Sequence, residues 1–269
     1  MNRWRIKDVR SYLIKTLGSG GNYTSQPSGT WMVDDPQANA LSIYPDRRRG
    51  FWGAKVPFPH GPADGRQGLT ANVHSIAEQR KTLGHDFPLM IDCFMSLDVC
   101  YALELARAVE PYALYWIEEA LHPDDFEGYN RLRAAAPFVR WVAGEHEYSR
   151  WGFRNLIRSH TIDIVQPDLM WAGGFSEALR IAALASAFDV TVVPHAGGVY
   201  SYHFAMTQPT VPFVEYCITS PKGDEITPVF GDMFEGEPLP VNGTIELSDS
   251  PGWGLKLVRD AVELRRFHF

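Results

Sequence analysis

Five residues spaced along this chain have the types needed for acid–base chemistry beside a metal ion: Asp92, Glu118, Glu145, Asp168 and His195. Successive members stand 26, 27, 23 and 27 residues apart, and they close the short apolar runs FPLMIDC, YALYWIEE, RWVAGE, DIVQPD and DVTVVPH. Three carboxylates offer hard oxygen ligands, which suit Mg2+ better than imidazole or thiolate would. A cation held there acidifies a C–H beside a substrate carboxylate, provided that a base stands opposite. His195 is the candidate base, because Asp168, one run upstream, can bond one ring nitrogen, fix the tautomer and raise the basicity of the other. Any one strand-end carboxylate could instead cap a helix or pair with an arginine, and a lone histidine is more often structural. Three carboxylates in register, and the one histidine among nine with a strand-end carboxylate one unit upstream, favour the catalytic reading.

The elements that must position these residues follow from the same spacing. From residue 50 onward, apolar runs alternate with segments of helical period, in which Val99, Ala102, Leu105, Ala106 and Val109 share one face and Ala178, Ile181, Ala182 and Ala185 another. This is the pattern of a parallel sheet covered by helices. Seven such units are visible, beginning with GFWGAKVP and ending with FVEY. The reading is an α/β fold, a (β/α) TIM-type barrel with seven recognisable strands, modified or incomplete, with its site at the carboxyl ends of the strands. A doubly wound open sheet stays open as an alternative, though no GxGxxG follows a first strand. Lys55 ends the first run and could neutralise charge on an enolate. Glu215 closes the last run, 20 residues after His195, and could bond a substrate carboxylate or serve as a buried partner for Arg or Tyr. Glu119, beside Glu118, should point the other way from an extended strand, leaving it to support the site or cap a helix.

Composition narrows the class. With 269 residues, 45% of them hydrophobic, the chain can bury a sizeable core. A net charge of −7 and a pI near 5.7 argue against nucleic-acid binding and for a small soluble substrate. Cys93, Cys100 and Cys217 make no CxxC pair, which fits a reducing compartment. The opening MNRWRIKDVRSYLIKTLG lacks a signal-type apolar stretch, and no long apolar run suggests a membrane span, so a cytoplasmic protein is expected.

The motifs MIDCFMS, WIEE, AGEHE, DIVQPDLMWAGG and VVPHAGGVYSYH, with ITSPKGDEITPVF and EPLPVNG, together resemble the enolase superfamily, in its mandelate-racemase branch and within that the L-rhamnonate dehydratases as a group. The resemblance runs from about Gly50 to the C-terminus. It implies Mg2+ on Asp92, Glu118 and Glu145, acid–base action by His195 with Asp168, a charge-stabilising Glu215, and a sugar acid as substrate, from which water is removed. It also implies self-association into a homo-oligomer. Residues 1–49 resemble the opening of the family's N-terminal α+β capping domain with its glycine-rich substrate loop, where Thr30 and Trp31 would touch substrate. Residues 50–240 are then the barrel and 241–269 a segment packing back on cap or barrel.

Three departures from the family stand out. Thr30 precedes Trp31 where the family carries histidine. Lys55-Val56-Pro57 replaces the racemases' Lys-x-Lys, leaving one face of the substrate without a base. Most of the cap and the first barrel strand are missing between about Arg49 and Phe51, which leaves a strand edge unpaired.

Overall fold

The computed structural model describes residues 12–16, 49–57, 59–218, 225–258 and 262–266, the first and last of these segments in their backbone only. In chain order the strands are β1 (Tyr12–Thr16), β2 (Ala54–Pro57), β3 (Leu89–Asp92), β4 (Trp116–Glu118), β5 (Trp141–Ala143), β6 (Ile164–Val165), β7 (Thr191–Val192), β8 (Phe234–Glu235), β9 (Lys256–Leu257) and β10 (Val262–Arg266). Strands β2 to β7 form one six-stranded sheet, parallel throughout and in sequence order. Antiparallel pairs join β1 to β10 and β8 to β9.

Helices α1 (Gly65–Leu83), α2 (Val99–Val109), α3 (Phe126–Ala135), α4 (Ser149–Arg158) and α5 (Phe175–Ser186) link successive strands, and α6 (Val199–Thr207) follows β7. The two apolar faces read from the sequence on α2 and α5 are buried. Asp98 and Asp125 start α2 and α3 by accepting hydrogen bonds from the Tyr101 and Gly128 amides, satisfying donors that the helix leaves unpaired.

The pleat splits each strand between two cores. Ile91, Ile117, Ala143, Val165 and Val192 pack outward under the helices, whereas Met90, Trp116, Val142, Ile164 and Val193 fill the inside. At the amino ends of the strands, buried Arg80 from α1 donates to the carbonyls of Gly84, His85, Phe87, Tyr112 and Ala113. One guanidinium thus ties together the loops leading into β3 and β4.

The seventh expected strand differs from its reading. The run Phe213–Tyr216 follows β7 but forms no ladder. Pro212 removes one donor, and between this run and β2 no strand among the described residues intervenes to pair with either. Side chains close that seam instead: Trp52 stacks on Phe213 with centroids 4.4 Å apart, and Lys55 Nζ lies 2.8 Å from Glu215 Oε1. No described helix is long and apolar enough to cross a membrane.

Candidate active site

Register and pleat together aim the first residues of the site. Asp92 pairs with Glu118 across β3 and β4, and each lies two residues after an inward-facing Met90 or Trp116, so both carboxylates enter the interior. Lys55 pairs with Met90 and faces the same way. Glu145, Asp168 and His195 lie just beyond β5, β6 and β7, on the same carboxyl-end rim. A cavity of about 890 Å³ is lined by Lys55, Asp92, His195 and Glu215 and extends along the Trp52–Phe213 seam.

Asp92, Glu118 and Glu145 each present a carboxylate oxygen within 4.8 Å of the others, and all three are buried. Opposite ligands around Mg2+, bound at about 2.1 Å, stand about 4.2 Å apart, so the span accommodates such an ion. Glu145 Oε2 is buried and accepts no hydrogen bond, although His195 Nε2 lies 3.2 Å from it. That oxygen is one a cation would satisfy, and the all-carboxylate donor set suits a hard divalent ion.

His195 Nδ1 donates to Asp168 Oδ2 at 2.9 Å, and Asp168 Oδ1 accepts from the Met170 and Trp171 amides. Burial opposes the charge on His195, but the Asp168 hydrogen bond and the nearby carboxylates outweigh it and raise its pKa. Burial pushes Asp168 up, and the His195 and backbone donors overcome this to hold it below its usual value. Ala196 takes a left-handed φ of 64° after the histidine, turning its amide onto Glu215 Oε2 at 2.8 Å.

Lys55 is the cation among the acids. Its Nζ donates to Glu118 Oε1 and lies 3.4 Å from Asp92 Oδ2 as well as beside Glu215. Burial works to lower its pKa, and these three carboxylates reverse that, holding the ammonium well above its ordinary value. Burial raises Glu118 well above the carboxylate range despite Lys55, and lifts Glu145 to about 7. Glu215 moves the other way: burial is outweighed by Lys55, His195 and the Ala196 amide, which favours its ionised form over a protonated donor.

Sequence reasoning passed over Trp116, Gln166 and His146 here. Trp116 Nε1 and Gln166 Nε2 both donate to Glu118 Oε2, at 2.9 and 3.1 Å, which leaves Oε1 to Lys55. Gln166 Nε2 also reaches Glu215 Oε1 at 3.2 Å. The signal for Gln166 was its place two residues before Asp168, the same parity along an extended run. Glu119, expected to turn away from Glu118 and support the site, takes a φ of 43° that ends the strand; it is fully buried, with Oε1 accepting from the Gly144 amide. His146 then lies 3.4 Å from both Glu119 and Glu145. Thr30 and Trp31, expected at the substrate loop, lie outside the described residues.

A parallel sheet of this order, with helices linking its strands and acids and a histidine at its carboxyl rim, defines the scaffold as of the β/α-barrel class. Residues 46–261 match the family described as "Enolase C-terminal domain-like", and the chain belongs to it. It is 45% identical over 236 residues to the L-rhamnonate dehydratase of Saccharopolyspora erythraea, covering 87% of this chain and 60% of that protein. The crystal structure of L-rhamnonate dehydratase from Gibberella zeae superposes with a TM-score of 0.78 at 47% identity, covering 84% of this chain and 57% of that one. The crystal structure of rhamnonate dehydratase from Gibberella zeae complexed with Mg gives a TM-score of 0.79 at 48% identity, over 82% and 55% of the two chains. This chain therefore spans about 60% of the length of the curated relative it matches.

Proposed function

We propose that this chain removes water from a sugar acid, L-rhamnonate giving 2-keto-3-deoxy-L-rhamnonate, with Mg2+ held by Asp92, Glu118 and Glu145. The observation that carries the reading is the Asp168–His195 pair, 2.9 Å apart, with the free ring nitrogen facing that carboxylate triad. The relatives named as L-rhamnonate dehydratases, one of them complexed with Mg, support the choice of substrate and ion.

When bound, Mg2+ would polarise the substrate carboxylate and stabilise the negative charge that develops as the neighbouring C–H is broken. The remaining work falls to side chains of this chain. Asp168 accepts a hydrogen bond from the Nδ1–H of His195, so Nε2 carries the lone pair that takes the proton from C2. The imidazolium formed, paired with Asp168, then delivers that proton to the hydroxyl on C3. The C3–O bond breaks, water departs, a C2=C3 double bond forms, and the enol relaxes to the 2-keto acid. Lys55 and Glu215 hold the charge around the substrate carboxylate. Lys55 is committed to three acids and Pro57 stands where a second lysine would follow, which favours dehydration over racemisation.

A second reading is supported by the unladdered seam and the partial span: a relative that binds the metal or a sugar acid without turnover. Incubating the folded protein with Mg2+ and a panel of six-carbon sugar acids separates the two. The expected result is a 2-keto acid from L-rhamnonate, with kcat reduced ~10²–10⁴-fold in His195→Asn. Saturable binding of the acid with no product would establish the second reading.

A further inference from the structure

Two consecutive bulky residues adopt a backbone that such side chains avoid. Phe94 has a φ of 49° and Met95 a φ of 59°, just beyond the strand that ends on Asp92. In an L-residue this left-handed region crowds Cβ against the following carbonyl oxygen, and for a large side chain it is a genuine outlier. The surroundings hold the turn in place. Phe94 N donates to Asp92 Oδ1 at 3.0 Å, Met95 N to the Glu119 carbonyl at 2.6 Å and Leu97 N to the Ala120 carbonyl at 3.0 Å. Ser96 Oγ closes it by donating to the Cys93 carbonyl at 2.6 Å. Strain of this kind persists only where neighbouring contacts over-determine it.

Burial does not offset the strain at Phe94. The residue remains 39% exposed, while Cys93 and Leu97 beside it supply the core contacts. Glycine or asparagine would take the same turn at less cost, so the ring is held for something other than packing. Its place indicates what that is. Phe94 borders the cavity lined by Lys55, Asp92, His195 and Glu215. Trp52, the other exposed aromatic residue along that cavity, precedes β2 and belongs to the seam, whereas Phe94 stands on the carboxyl-end rim beyond Asp92.

With the substrate carboxylate at the triad and C2 and C3 within reach of His195, the far carbons of a six-carbon acid fall to the rim. In L-rhamnonate the last of them is a methyl group. An aromatic ring suits a methyl, and a hydroxyl pressed against it gives up water without gaining a partner. We propose that Phe94 is a specificity-determining residue whose ring forms the apolar wall against the terminal methyl of a 6-deoxy sugar acid. The assignment rests on the dehydratase reading and adds to it how the far end of the substrate is selected.

L-Mannonate differs from L-rhamnonate only by a hydroxyl on C6, so this pair isolates the contact. With Mg2+ present, kcat/KM should favour L-rhamnonate by ~10–100-fold. Phe94→Leu, which keeps an apolar wall, should retain most of that ratio. Phe94→Gly and Phe94→Asn both tolerate a positive φ and should fold, as urea unfolding would check, and both should bring the ratio near unity. Calorimetric dissociation constants for the two acids on the slowed His195→Asn variant, with and without Phe94→Gly, give the same comparison without relying on turnover. If product forms but the unmodified protein ignores the C6 hydroxyl, or the ratio survives in both Phe94→Gly and Phe94→Asn, the proposal is overturned and the dehydratase reading stands. A binding preference that disappears with the ring, in protein that yields no product, overturns the dehydratase reading and upholds this one. Binding of neither acid overturns both.

Discussion

The sheet is closed by two different means on its two sides, and the chemistry divides between them in the same way. From β2 to β7 the backbone ladder is continuous and parallel, and the apolar layers on both faces are buried. Between β2 and Phe213–Tyr216 no ladder exists; the Trp52–Phe213 stack and the Lys55–Glu215 ion pair span the gap. The carboxylates that would hold a cation come from the laddered side, where register fixes their spacing. Lys55 and Glu215, proposed to handle substrate charge, face each other across the seam. A charge pair in the site therefore also serves as the clasp of the fold.

The sharpest way to break this contrast is to remove one tryptophan from each side. Trp141→Ala, in the buried core of β5, should cost about 3–5 kcal/mol, while Trp52→Ala, half exposed at the seam, should cost about 1 kcal/mol. Urea denaturation measures both. Equal losses would show that the seam is as much a part of the cooperative core as the ladder is. Arg80→Met should follow at about 3 kcal/mol, because carbonyls at the amino ends of β3 and β4 lose a shared donor; a shift in the denaturation midpoint at constant slope is the expected result.

Gln166→Leu tests the link between the two sides, since Gln166 donates to Glu118 on the ladder and to Glu215 at the seam. Mg2+ affinity should fall by ~10–100-fold with the fold intact, as calorimetric titration would show. The smallest effect is that of pH. Burial lifts Glu145 to about 7, so it must give up a proton to bind a cation, and Mg2+ affinity should drop about tenfold for each pH unit below that value. The sign for stability follows from the same shift. A carboxyl raised in the folded state keeps its proton longer than in the unfolded chain, so the metal-free protein should lose stability as pH rises from about 4.5 to about 7 and level off above. Thermal melts with and without Mg2+ measure this, and a metal-free Tm that climbs across that window would contradict the assignment.

Much of this arrangement was legible before any coordinates. The β/α period and the residue closing each run located Asp92, Glu118, Glu145, Asp168 and His195, because a strand's length and the parity of its side chains are local properties of the backbone. The parity of Met90 with Asp92 and of Trp116 with Glu118 already implied that the acids and the inner core share a face.

The tertiary structure alone decided the rest. Alternation turned Glu119 away from Glu118 but could not name its partner, because a left-handed turn falls where the chain leaves β4 and Gly144 from the neighbouring strand end supplies its hydrogen bond. Gln166 gained its role from partners 48 and 49 residues away, and Lys55 from acids on three different segments. Nor could the run FVEY reveal that it would lack a ladder, since pairing belongs to two segments and not to one. Period and residue type determine which side chains a segment can offer. Only register, together with the fall of charge interaction with distance, determines which of them meet.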